Sequence, residues 1–125
     1  MRSFTELDAW KKSRILRNEV FDLVKSFPME EKYRLSDQII RSSRSIGNNI
    51  AEGHGRFHYA DSSKFFINAR GSAAEIIDHL IIALDQNFIS NGVFEKFKNQ
   101  CEESMRLING YINYLRDQAQ QSNNK

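Results

Sequence analysis

Apolar residues recur at three- and four-residue intervals along most of the chain, and this spacing predicts four helical segments. No stretch alternates between apolar and polar residues as a half-buried strand does. The first segment begins near Ser3 and Glu6, which have the spacing of a capping box, and runs to Phe27, where Pro28 ends it. Its inner face consists of Ala9, Leu16, Val20, Leu23 and Phe27.

The second predicted helix begins between Pro28 and Ser36 and ends at Gly53 and Gly55. We expect these glycines to stop it because glycine readily adopts the left-handed conformation found at helix ends. The inner stripe consists of Ile39, Ser43, Ile46 and Ile50. The opposite side consists of Arg41, Arg44, Asn48 and Glu52.

The third predicted helix is the longest and extends from about His58 to Gln86. The segment "NFISNG" interrupts the pattern, and Ser90 is the expected N-cap of the fourth helix. The inner stripes are Tyr59, Phe66, Ala73, Ile77, Leu80 and Leu84 on the third helix, and Phe94, Phe97, Cys101, Ile108 and Leu115 on the fourth. The fourth stripe is close to a heptad repeat, which suits helices that cross at about 20°.

Short connections between long helices make consecutive helices antiparallel neighbours. The predicted fold is therefore all-α, an up-down-up-down antiparallel four-helix bundle. One domain is expected over residues 1–119, followed by a flexible polar tail over residues 120–125, which has no apolar residue.

Two of the predicted helices carry more apolar surface than one inner stripe needs. Trp10 and Phe21 lie away from the stripe of the first helix, and Phe65 and Ile76 lie beside the stripe of the third. A second apolar strip is typical of burial against another chain, so these four residues are the predicted oligomer interface. The alternative is that the stripes are simply wide, as in a compact bundle.

The composition favours an intracellular protein. The chain has one cysteine, so it forms no internal disulfide, and a signal peptide is not evident. No apolar run approaches the length of a membrane span. These features predict a cytoplasmic location and no membrane partner.

Positive charge is concentrated in the first part of the sequence. Residues 1–70 hold 13 Lys/Arg and 9 Asp/Glu, a net charge of +4, whereas residues 71–125 hold 5 and 7, a net charge of −2. Basic side chains neutralise phosphates without reading base sequence. The predicted nucleic-acid contacts are Arg14, Arg17, Arg41, Arg44 and Arg56. An ordinary solvated helix face is the alternative interpretation of the same spacing.

Other sequence features give no reason to expect catalysis, a cofactor or a metal. The glycines of "AEGHGRF" follow a helix and lack the Lys-Ser/Thr pair of a phosphate-binding loop. His54 and His58 have metal-ligand spacing, but the expected turn separates them. Cys101 lies on an apolar stripe and is expected to be an inert core thiol.

Arg70 occupies the inner side of the third predicted helix, between Phe66 and Ala73. An arginine at such a position needs a partner or a second surface to reach. We predict a structural ion pair with Glu52, and Glu75 and Asp78 of other turns or chains are the alternative partners. The alternative is that Arg70 presents its guanidinium group to a phosphate.

The sequence resembles a family of four-helix bundle proteins that are encoded by intervening sequences in bacterial 23S rRNA genes. The resemblance extends from Phe4 to Leu115. It rests on "LDAW", on "FPMEEKYRLSDQIIRSSRSIGNNIAEGHGR" and on "FFINARGSAAEI". Gly47 is a departure, since many relatives have proline there, and it weakens the expectation of a fixed kink.

The resemblance implies a cytoplasmic bacterial bundle that assembles as a ring, typically a homopentamer. It does not supply a biochemical activity. A branch of similar fold, the accessory proteins of diversity-generating retroelements, forms a basic pentameric barrel that binds nucleic acid and a reverse transcriptase. Fold-level similarity alone is a weak basis for function.

The sequence thus predicts a non-enzymatic, oligomeric accessory protein that binds RNA or DNA through its arginines. The alternative is a scaffold whose ring recruits a partner protein, such as a reverse transcriptase. In that case the arginines would not be needed for partner capture.

Overall fold

The computed structural model describes residues 3–123, and this part of the chain contains four α-helices and no strand. The helices are α1 (Asp8–Leu23), α2 (Leu35–His54), α3 (Tyr59–Asp85) and α4 (Asn91–Asn123). The all-α prediction is confirmed. The bounds predicted for the third helix differ from those of α3 by a single residue at each end.

Each helix packs against the helices next to it in the chain, and α4 also returns to α1. Side-chain bonds give the register. Ser45 on α2 hydrogen-bonds Ser72 on α3 at 2.9 Å, and Lys12 on α1 pairs with Glu103 on α4 at 3.2 Å. Consecutive helices run antiparallel, so the predicted up-down-up-down topology is confirmed for one chain.

The start of α1 differs from the prediction. Ser3 caps a separate 3₁₀ turn over Phe4–Glu6, where its Oγ accepts a hydrogen bond from the backbone N–H of Thr5 at 3.2 Å. Leu7 then adopts an extended conformation, and the α-helix begins only at Asp8. At the other end, α1 gives way to a 3₁₀ turn at Val24, before Pro28.

The end of α2 corrects the predicted role of its glycines. The helix ends at His54, but no glycine in residues 3–123 has a positive φ, and Gly55 has φ −80°. Gly53 is instead a contact residue. A Cβ atom there would lie 2.9 Å from Cβ of Phe65 and 3.0 Å from the Phe66 ring. The hydroxyl of Ser62 on α3 also donates to the Gly53 carbonyl at 2.7 Å, so the two helices touch backbone to side chain.

The turn between α3 and α4 uses a different residue type. Asn87 has φ +63°, a left-handed conformation that asparagine tolerates better than most residues. Ser90 Oγ accepts the backbone N–H of Val93 at 3.2 Å, which confirms the predicted cap. The helix then continues through residues 120–123, beyond the predicted boundary at 119; residues 124 and 125 lie outside the described range.

The core lies between the four helices, and Tyr59, which was predicted to lie on the inner stripe of the third helix, is 38% exposed outside it. Its largest fully buried side chains include Phe66, Leu16, Ile39, Ile46, Ile50, Ile76, Leu80 and Ile108. Two buried serines fit among them because their hydroxyls bond back to their own helix: Ser13 donates to the Trp10 carbonyl at 2.7 Å and Ser43 to the Ile40 carbonyl at 2.8 Å. Cys101 is fully buried in the same core, as predicted.

We expect Gly53→Ala to lower the free energy of unfolding by about 1–3 kcal/mol, because the added methyl group would overpack the contact with Phe65 and Phe66. Gly110→Ala on α4 is the matched control, since its Cβ would meet nothing within 4 Å. That variant should gain up to about 1 kcal/mol from helix propensity. Urea denaturation followed by circular dichroism measures both, and equal stability of the two variants would contradict the close contact.

Burial, with a smaller contribution from the charge of Glu102, raises the pKa of the Cys101 thiol from 9.0 to about 12. We therefore expect the native thiol to resist alkylation at mildly alkaline pH and to react once the chain is unfolded. The unfolded chain loses this proton near 9.0 and the folded chain only near 12. Stability should consequently fall as pH rises across that interval, and it should fall less in Cys101→Ala.

Candidate nucleic-acid interface

One line along α1 combines aromatic and basic side chains. Trp10, Arg14, Arg17 and Phe21 are spaced by four, three and four residues, which places them on one side of the helix. The guanidinium carbons of Arg14 and Arg17 lie 5.9 Å and 5.5 Å from the centroid of the Trp10 ring. Both distances are within the range of cation–π attraction, so the indole holds two positive charges close together.

Arg44 of α2 joins this line from the neighbouring helix. Its guanidinium carbon lies 5.9 Å from the Phe21 ring. We call Trp10, Arg14, Arg17, Phe21 and Arg44 the α1–α2 arginine face. The sequence named all three arginines, but it did not indicate that two aromatic rings connect them.

Gly47 allows α1 and α2 to approach closely beneath this face. A Cβ at Gly47 would lie 3.1 Å from Ser13 Oγ and 3.2 Å from Arg17 Nη1. The Arg17 side chain therefore crosses α2 at a position where any larger residue would push it aside. From the sequence alone, Gly47 was noted only as a departure from proline. The small residue Ser13, which lies opposite Gly47 on α1, is the sequence feature that could have indicated close packing here.

The three arginines have no carboxylate partner in the part of the chain that the structure describes. Within residues 3–123, no Asp or Glu oxygen lies within 4.0 Å of Arg14, Arg17 or Arg44. Lys25 also stands over Phe21, at 5.1 Å, but it is paired with Asp22 at 3.2 Å. The α1–α2 arginine face is thus a positive surface with an aromatic ring, Phe21, that is 46% exposed.

The other two predicted arginines lie elsewhere. Arg41 pairs with Asp37 at 3.1 Å and lines a groove between α2 and α3. Arg56 pairs with Glu52 at 2.6 Å and covers the Phe65 ring at 4.6 Å. The structure therefore brings three of the five predicted contacts together and leaves two apart, each next to a carboxylate.

The predicted ion pair between Arg70 and Glu52 is wrong. Arg70 Nη1 donates to Asn109 Oδ1 on α4 at 2.7 Å, and Glu52 is occupied by Arg56. Arg70 and Glu52 do not pair because the Arg70 side chain extends from α3 toward α4, whereas Glu52 lies on α2. The sequence did not identify Asn109 as the partner of Arg70, because a neutral amide on an outer position has many possible roles.

The four residues predicted to form the oligomer interface differ in their burial. Ile76 is 0% exposed and belongs to the core of a single chain, so its assignment to an interface is wrong. Trp10 and Phe65 are half-buried beneath arginines, and only Phe21 is strongly exposed. The sequence reading missed Ile67, Ile81 and Ile82, which are 45%, 41% and 39% exposed on the outer side of α3.

The two histidines considered as metal ligands lie on different elements. His54 is the last residue of α2, and His58 is the N-cap of α3.

No helix in the described part of the chain has the length and apolar character needed to cross a membrane.

A relative with a solved structure shares this architecture. It is a protein of unknown function from the S23 ribosomal protein family of Bacteroides thetaiotaomicron, known from a crystal structure. The two chains are 27% identical and superpose with a TM-score of 0.78, over 84% of this chain and 95% of that one. A search of curated proteins gave no match.

The sequence also matches a family profile along most of its length. The profile describes the 23S rRNA-intervening sequence proteins and aligns with residues 5–110. These residues include α1, α2, α3 and the first part of α4, and thus the whole α1–α2 arginine face. The family that the sequence resembled is confirmed: this chain belongs to the 23S rRNA-intervening sequence protein family.

Proposed function

We propose that this protein is a non-enzymatic RNA-binding protein of the cytoplasm that holds phosphates on the α1–α2 arginine face. The observation that carries the proposal is the group formed by Arg14, Arg17 and Arg44. Three guanidinium groups, which have no carboxylate partner among residues 3–123, are arranged on two adjacent helices around two aromatic rings. RNA can therefore bind them without first breaking an ion pair.

Both components of the face suit a nucleic acid. Each arginine that contacts a phosphate releases condensed counterions, which supplies affinity for any base sequence. The rings pre-position the guanidinium groups, so less side-chain entropy is lost on binding. Phe21 exposes nearly half of its surface, so part of its ring can contact an unpaired base.

The names of the family and of the solved relative bear on whether RNA or DNA should be tested first as the ligand. The family is named after the intervening sequences of 23S rRNA, and the solved relative is assigned to a ribosomal protein family. These names say where the proteins are grouped and do not state what they bind. They favour RNA as the first ligand to test.

A second candidate function is assembly into a ring that presents a binding surface to another protein. Ile67, Ala74 and Ile81 are spaced by seven residues, so they form one exposed line that we call the α3 outer face. Acidic residues border it, among them Asp78 and Asp85. Such a face suits a second copy of the chain, and the resemblance implies five subunits.

We expect the triple variant Arg14→Gln, Arg17→Gln, Arg44→Gln to weaken the Kd for a structured rRNA fragment by about tenfold or more at low salt. Loss of three phosphate contacts should also reduce the steepness of the slope of log K against log salt by about 2–3. Fluorescence anisotropy at two or more salt concentrations measures both quantities.

The matched control is Lys96→Gln, Arg106→Gln, Arg116→Gln, which removes the same charge from α4. It should change the affinity much less than the α1–α2 triple variant. Equal losses in both variants would indicate attraction by net charge alone, and no binding by the wild type at low salt would overturn the proposal. If the α1–α2 variant instead changes the molecular mass, the arginines face a neighbouring subunit and the scaffold hypothesis gains support.

We expect Ile67→Glu with Ile81→Glu to shift the mass measured by light scattering toward that of a monomer. Two carboxylates on the α3 outer face would add charge to an apolar contact that is already bordered by acids. Ile15→Glu on α1, at a position that is 53% exposed, is the control and should keep the wild-type mass. Equal masses for all three proteins would contradict assembly through α3.

A further inference from the structure

The groove between α2 and α3 is lined by a buried histidine, His79. His79 is 7% exposed, and neither of its ring nitrogens has a hydrogen-bond partner within residues 3–123. The Glu75 carboxylate lies 3.4 Å from Nε2, without the geometry of a hydrogen bond. A buried polar group without a partner is costly, and native proteins contain few of them.

The imidazole is part of the wall of an open groove of about 310 Å³. The other lining residues are Gln38, Arg41, Ser42, Ser45 and Glu75. Ser42 is only 5% exposed. Two buried polar side chains on facing helices, Ser42 and His79, thus border the same space, and within residues 3–123 both nitrogens of the imidazole lack a hydrogen-bond partner.

The charges around the groove are mixed. Arg41 is held by Asp37 through its Nε at 3.1 Å, which leaves its two terminal nitrogens available. Glu75 contributes a carboxylate whose side chain is 57% exposed. With two carboxylates beside one guanidinium group, a phosphate would be repelled. A neutral ligand with both donor and acceptor edges would be matched by the groove.

We propose that the α2–α3 groove binds an unpaired nucleobase and that guanine matches its side chains best. The N1–H and N2 amine of guanine would donate to Glu75, while O6 and N7 would accept from Arg41, which is the arginine pattern for guanine recognition. Ser42 and His79 supply the remaining donors and acceptors at the buried side. The site extends the proposed RNA-binding function, on which it depends.

The position of the groove fits that function. Arg41 and Arg44 are three residues apart on α2, so they project on neighbouring sides of one helix. A single strand bound by phosphate to the α1–α2 arginine face can pass over α2 and place a base in the groove. Phosphate contacts then provide affinity, and the groove provides base preference.

The test uses short uridine-rich strands that differ only in one central base, measured by fluorescence anisotropy. The wild type should bind the strand with a central guanine about tenfold more tightly than the strands with adenine, cytosine or uridine. Glu75→Gln should remove most of this preference while the salt dependence stays unchanged. Asp78→Asn is the matched control on α3, outside the groove, and should keep the preference.

A second variant separates function from folding. His79→Leu should abolish the preference for guanine while it raises the midpoint of urea unfolding, because an apolar side chain relieves the unpaired imidazole. If the preference persists in both His79→Leu and Glu75→Gln, the groove does not read the base and the inference is overturned.

The outcomes distinguish the two proposals. Binding of all four strands with equal affinity would overturn the groove inference and leave the arginine face intact as an RNA-binding surface. Absence of binding to any strand and to structured RNA at low salt would overturn both. Guanine preference that survives the loss of Arg14, Arg17 and Arg44, at lower affinity, would support the groove as a separate base-reading site.

Discussion

The close packing of α2 against both of its neighbours is the constraint on which the bundle depends. On the α1 side, Gly47 leaves room for Ser13 and Arg17; on the α3 side, Gly53 meets Phe65 and Phe66 at a distance that a Cβ would violate. Such contacts need small residues, because a packed interior cannot absorb an extra methyl group without strain. They fix the position of α2, and the surfaces on either side of it follow.

The two sides of α2 consequently differ in chemistry. Toward α1, aromatic rings hold Arg14, Arg17 and Arg44, which have no carboxylate within 4.0 Å in residues 3–123, so positive charge predominates there. Toward α3, serines, an imidazole and paired charges line a mixed groove. The first arrangement suits a polyanion, since charge alone supplies affinity. The second suits a ligand that both donates and accepts hydrogen bonds.

Surfaces that bind a partner often keep features that reduce stability in the free chain. The unpartnered imidazole of His79 and the exposed isoleucines of the α3 outer face are of this kind. Replacing either by a residue suited to its surroundings would favour the isolated chain. In the two proposals, a base covers the His79 imidazole and another subunit covers the isoleucines of the α3 outer face, which would account for both features.

The sequence by itself determined the four helices, the Ser90 cap and the topology, because apolar periodicity and short connections are local properties. It also named Arg14, Arg17 and Arg44 among five candidate phosphate contacts. Only the tertiary structure decided that Arg41 turns toward α3 while Arg44 meets Phe21, that Arg70 binds Asn109, and that Ile76 lies in the core. These outcomes depend on the rotation of each helix about its axis, where one residue changes direction by about 100°. That rotation is set by close contacts such as Gly53 with Phe66, between residues far apart in the chain.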